Sequence, residues 1–163
     1  MNIYTVAFFG HRDFIEHQKY EKKLIDFLIE LINTKEYVEF IMGRNGEFDI
    51  FAATAVKKSQ NRAGHANSSL ILINPYPTKN DEYYEKYYDE VEICNEAATA
   101  HFKAAIEIRN KIMVQRADMI ISYITKPEGG AYCAVQKAKE LNKAIINLIK
   151  PKLQSCTGDG SLL

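Results

Sequence analysis

Short runs of consecutive apolar residues alternate along this chain with longer stretches in which apolar positions recur every three or four residues. The short runs fall at 4–9, 38–42, 70–73, 91–94, 119–124 and 144–148, and each has the length and composition of a buried strand. Between the first two, Tyr20, Leu24, Phe27, Leu28, Leu31 and Ile32 mark one stripe of an amphipathic helix that runs to about Asn33. Asp13 and Glu16 precede it at the spacing of a capping box. The alanine-rich stretch 48–60 predicts a second helix with Phe51, Ala55 and Val56 inward. Helices are also expected at 102–116 and 131–141. Residues 76–90 hold five tyrosines among charged residues and read as a loop with a short helix, serving as packing or as a lid.

Continuous apolar strands alternating with helices predict a doubly wound α/β fold, its mainly parallel sheet covered by helices on both faces. A chain of 163 residues fits one domain, expected over 1–150. Pro151 ends that part, and 151–163 reads as a flexible tail. In such folds ligands bind beyond the carboxyl ends of the strands.

Charge narrows the partners. Lys plus Arg and Asp plus Glu number 21 each, so no global field recruits nucleic acid or a membrane surface. Residues 79–96 carry seven acids against Lys79 and Lys86, which would repel a phosphate backbone. Cys94, Cys133 and Cys156 show neither paired spacing nor histidine partners, so reduced thiols in a cytoplasmic setting are expected and a metal site is not. No apolar run approaches the ~18 residues of a membrane span, and the N-terminus lacks the pattern of a targeting segment.

Four segments carry candidate chemistry. Gly10-His11-Arg12 follows the first strand, where a glycine lets backbone approach a ligand and an arginine offers a fork of donors to phosphate or carboxylate. Gly43-Arg44-Asn45-Gly46-Glu47-Phe48-Asp49 follows the second, with Glu47 and Asp49 placed either to cap the next helix or to present carboxylates to a ligand. Arg109-Asn110 lies in an apolar helix before the 119–124 strand, paired structurally or aimed at a ligand. Glu128-Gly129-Gly130-Ala131-Tyr132 opens the next helix as an anion-binding nest or a tight turn. Neither GxxxxGK[ST] nor GxGxxG occurs, and Ser59, Ser68 and Ser69 lack a nucleophile elbow. His17, His65 and His101 have no ligand spacing.

In this order the four segments resemble the SLOG superfamily, specifically its YpsA-like branch. The matching stretches are FFGHRDF at 8–14, GRNGEFDIFAATAV at 43–56, RNKIMVQRADMIISY at 109–123 and EGGAYCAVQKAKELNKAIINL at 128–148. The resemblance implies a Rossmann-like fold that binds a nucleotide or nucleotide-derived ligand in a sensing or regulatory role, without a further cofactor. It implies ligand contacts at Gly10, His11, Arg12, Gly43, Asp49, Arg109, Asn110, Gly129 and Gly130, with Gly46 and Met113 also matching, and Tyr132 flanking the base. Relatives include the "lonely guy" phosphoribohydrolases and the DNA-processing protein DprA, and they commonly pair, leaving a homodimer open. The phosphoribohydrolases carry a PGGxGTxxE-like signature with a catalytic glutamate, whereas here Gly129-Gly130 is followed by Ala131-Tyr132-Cys133-Ala134-Val135. Binding is therefore expected over cleavage. An N-glycosidase acting on a nucleoside monophosphate is the alternative, with Glu47, Asp49 and Arg109 as its catalytic candidates. Single-stranded DNA binding ranks last: Lys137, Lys139, Lys143, Lys150 and Lys152 gather late, but the acidic stretch opposes it.

Overall fold

The apolar runs form strands and the periodic stretches form helices, in strict alternation. In chain order they are β1 (Ile3–Gly10), α1 (His17–Thr34), β2 (Tyr37–Met42), α2 (Glu47–Ala63), β3 (Ser68–Asn74), α3 (Asp81–Tyr87), β4 (Glu90–Ile93), α4 (Phe102–Arg116), β5 (Met119–Tyr123), α5 (Gly130–Glu140) and β6 (Ala144–Asn147). These come from a computed structural model that describes residues 1–149. The expected tail 151–163, which holds Lys152 and Cys156, lies outside the described residues, as does Lys150.

The six strands make one sheet in the order β4-β3-β2-β1-β5-β6, every pair parallel. Alternate residues of each strand face opposite helical layers. Val6, Phe8, Phe40 and Leu72 pack toward Leu24 and Leu28 of α1 and Phe48, Phe51 and Val56 of α2. Ala7, Phe9, Ile41 and Ile120 pack toward Ala105, Met113 and Val114 of α4 and Ala134 and Ala138 of α5. Both faces are dry, which explains why the strands read as continuous apolar runs. The chain steps outward from β1 through β2 to β4, then returns to the other side of β1 for β5. The connections leaving β1 and β5 therefore diverge at their carboxyl ends and leave a crevice there.

The start of α1 departs from expectation. The helix begins at His17, and its capping residue Glu16 makes no side-chain cap bond. Phe14, 1% exposed, instead plunges into an aromatic cluster with Phe51 and Tyr123, each 4.6 Å away between ring centroids. Burying that ring is worth roughly 2–3 kcal/mol, against about 1 kcal/mol for a cap, so the chain stays irregular through this segment. Glu16 accepts a hydrogen bond from the Tyr123 hydroxyl at 3.1 Å.

The tyrosines at 83–88 divide: Tyr83 is exposed, whereas Tyr84, Tyr87 and Tyr88 pack on the core. Tyr88 is buried and its hydroxyl accepts from Arg44 Nη1 at 3.0 Å, while Arg44 also lies over Tyr84 and Lys57 over Tyr87. Part of the acidic run is likewise structural: Asp89 accepts from the Leu70 N–H at 2.7 Å and from Gln60 Nε2 at 2.9 Å. Among the described residues, no helix is long and apolar enough to cross a membrane.

Candidate ligand cleft at the strand-order reversal

The crevice is a cleft of about 580 Å³, within the usual range of small-molecule sites. Gly10, His11 and Arg12 line it from the turn after β1, and Gly43, Asn45 and Gly46 from the turn after β2. Asp49 enters from the first turn of α2, and Ile106, Arg109 and Asn110 from one side of α4. Thr125, Lys126 and Glu128 follow β5 and lead into Gly129, Gly130 and Ala131 at the start of α5.

Arg109 is the most unusual residue in the molecule. It is 2% exposed, the largest side chain buried to that degree, in a helix otherwise packed on aliphatic residues. Its Nη1 donates to the Ile73 carbonyl at 2.9 Å and its Nε to Asn110 Oδ1 at 3.0 Å. Among the described residues no carboxylate comes within 4.0 Å of it. Burial lowers its pKa, with Asp49 opposing from a distance. Gly43 makes room for it: a Cβ there would sit 2.5 Å from Nη1. The choice left open by sequence, structural pair or ligand contact, thus resolves to a buried cation anchored on neutral acceptors.

The first turn is braced by packing. A Cβ on Gly10 would collide with the Phe48 ring, and one on Gly46 with the Arg12 backbone. The Glu47 N–H donates to the Arg12 carbonyl at 3.0 Å, tying this turn to the start of α2. His11, 9% exposed, joins the two glycine turns. Its N–H donates to the Tyr123 carbonyl at 3.2 Å, and its Nε2 accepts from the Lys126 N–H at 3.4 Å. Burial, and then Lys126, lowers the His11 pKa, so the imidazole is held neutral as that acceptor role requires.

The second turn is open. Gly129 has φ +91°, ψ 171°, a conformation favouring glycine, and a side chain there would meet nothing. Gly129, Gly130 and Ala131 border the cleft, where the first N–H groups of α5 have no intrahelical acceptor and the helix dipole lies behind them. Lys126 pairs with Glu128 at 3.3 Å across exposed surface.

Asp49 accepts from the Asn45 N–H at 2.9 Å and keeps part of its surface open to the cleft. Removal from bulk water pushes its pKa up, against the opposing pull of that N–H and of Arg109, Arg44 and Arg12. Glu47, expected beside it, is exposed and does not line the cleft. Residues two apart on a helix point to different sides, so α2 can present only one of the pair. Tyr132 also falls outside the lining. The other nine expected contacts meet in this cleft. Sequence missed Asn45 as a backbone donor to Asp49 and Lys126 as the donor to His11. Neither was visible, because both act through a main-chain N–H.

No protein-family model matches the sequence, and neither does any curated protein. The fold and cleft define a Rossmann-like α/β domain, and solved structures share it. DNA processing protein A (DprA) from Streptococcus pneumoniae superposes with a TM-score of 0.68 at 16% identity, over 93% of this chain and 52% of that one. DprA from Helicobacter pylori, described for its single-stranded DNA binding mode, superposes at 0.60 with 17% identity, over 87% of this chain and 63% of that one. A third structure, TM1055, superposes at 0.55 with 13% identity, over 87% and 72%. The chain thus spans less than two thirds of either DprA, and what these likenesses establish is the fold.

Proposed function

We propose that this protein binds a nucleotide or nucleotide-derived small molecule in the cleft, in a sensing or regulatory role, as a SLOG-type domain of the YpsA-like kind. The supporting observation is Arg109. Holding an unpaired guanidinium in a protein interior costs several kcal/mol, and an anion bound against it offsets that cost. The α5 N-terminus with Gly129 and Gly130 supplies amide donors to the same phosphate, and Arg12 reaches it from the opposite turn. Asp49 takes ribose hydroxyls. The shared likeness to DprA adds a fold that accommodates such a cleft at the reversal of strand order.

Thermal unfolding with AMP, GMP, ADP-ribose and cyclic dinucleotides tests this. A ligand present at 100 times its Kd adds about 2.7 kcal/mol of stability. At least one of these is expected to raise Tm in the wild type and to lose most of that shift in Arg109→Gln. No shift with any of them contradicts the proposal. A single-stranded oligonucleotide in the same series is expected to give none, given the acids of residues 79–96.

One observation favours a catalytic alternative: Asp49 has a raised pKa and an open edge in the cleft, as a general acid or base requires. With Glu47 outside the cleft, Asp49 and Arg109 are the catalytic candidates that remain in it. AMP is expected to remain intact on prolonged incubation. Release of adenine that Asp49→Asn abolishes would replace binding with hydrolysis.

A further inference from the structure

Phe102 is 56% exposed at the first position of α4, where a large aromatic side chain has no packing reason to be. It is not isolated. Its ring lies 6.0 Å from that of Tyr76, tilted by 41°. Tyr76 is half-buried and packs against the core cluster that contains Ile73, Cys94 and Ala97, so this side of the pair is anchored. Phe102, Ile106 and Arg109 follow one another at steps of four and three on α4 and share a side of the helix. Ile106 and Arg109 line the cleft; Phe102 and Tyr76 lie outside that lining, Phe102 one turn of α4 beyond Ile106 on the same side of the helix. Tyr76 belongs to the same region: Arg109 donates to the carbonyl of Ile73, three residues before Tyr76.

We infer that Tyr76 and Phe102 form a stacking platform for the aromatic base of the nucleotide whose phosphate meets Arg109. This rests on the proposed nucleotide site and adds the element that recognises the base. Phe102 and Arg109 are seven positions apart on α4, a rise of about 10 Å, comparable to the length of an extended nucleoside monophosphate. A base laid on Phe102 covers apolar surface that otherwise faces water, and an edge backed by Tyr76 loses little freedom on binding. Stacking of this kind accepts any base, since each has a π face. The ligand class is therefore a nucleoside phosphate, with ribose 5-phosphate as the fragment that lacks the stacked group.

Calorimetric titration of wild type, Phe102→Ala and Phe102→Tyr with AMP, GMP, CMP, UMP and ribose 5-phosphate tests the platform. Phe102 is exposed, so its replacement leaves the fold intact. In the wild type the nucleotides are expected to bind more tightly than ribose 5-phosphate. Phe102→Ala is expected to weaken them by roughly 5- to 150-fold, to leave ribose 5-phosphate unchanged, and to be rescued by Phe102→Tyr. Equal wild-type affinity for AMP and ribose 5-phosphate overturns the platform while leaving the phosphate site standing. Nucleotide affinities unaltered by Phe102→Ala do the same. A wild type that binds none of the five overturns the platform, and the phosphate site falls with it if ADP-ribose and a cyclic dinucleotide titrated alongside also give no binding.

Discussion

The two glycine turns that border the cleft look alike in sequence and are built for different reasons. At the first, Gly10 has a backbone that any residue adopts, and glycine is needed because the Phe48 ring occupies the place of a side chain. At the second, Gly129 faces open space, and glycine is needed for its positive φ. The first turn is part of the aromatic core that runs through Phe14, Phe48 and Tyr123. The second is a free rim whose N–H groups remain available. A glycine following a buried strand therefore has two meanings, tight packing or an accessible nest, and only the second is directly about a ligand.

Substitutions separate the two. Gly10→Ala has the largest expected effect: it forces the Phe48 ring out of a close-packed cluster and lowers stability by about 3 kcal/mol, read as a fall in the urea midpoint. A loss below about 1 kcal/mol would mean the ring gives way easily and the first turn is not braced by packing. Gly129→Ala comes next, losing about 1–2 kcal/mol through backbone strain alone. Its distinguishing mark is that Gly129→Asn recovers part of the loss, since Asn tolerates positive φ better than Ala.

A smaller effect ties the turns together through His11. Its pKa is lowered from the ordinary value of 6.5, so the unfolded chain takes up the proton more readily than the folded one. The stability contributed by the neutral imidazole is fully present above pH 6.5 and is lost as pH falls through the depressed folded value. Urea midpoints of wild type and His11→Asn, measured between pH 7.5 and 5, are expected to converge toward the acid end. Parallel curves would show that His11 does not link the turns. Gly130→Ala is expected to change least, within about 0.5 kcal/mol, because a Cβ there meets Asn110 Nδ2 at an ordinary 3.7 Å.

Much of the fold was legible because both faces of the sheet are buried. Runs such as 38–42 and 70–73 need no partner information to read as strands, and α4 falls on the expected 102–116. What sequence could not show were competitions between local and tertiary preferences. Asp13 and Glu16 have capping-box spacing, yet the burial of Phe14 overrides it. Glu47 and Asp49 lie close in sequence but point apart on α2. In the cleft, Arg109 stood out as a charge in an apolar helix, whereas its anchoring on Ile73 depends on a contact across 36 residues. Tyr132 had only its proximity to Gly130 in its favour. Phe102 had no local signal at all, since its meaning comes from Tyr76, which a separate loop brings alongside.

The central claim is that one ligand occupies the cleft between these turns, and amide NMR during titration with AMP tests it most directly. The expected result is saturable movement of the Gly129, Gly130 and Ala131 amides together with those of Gly10 and His11, while α1 and β6 stay still. Movement confined to the lysine-rich end of α5 around Lys137 and Lys139, or no movement at millimolar AMP, would contradict it.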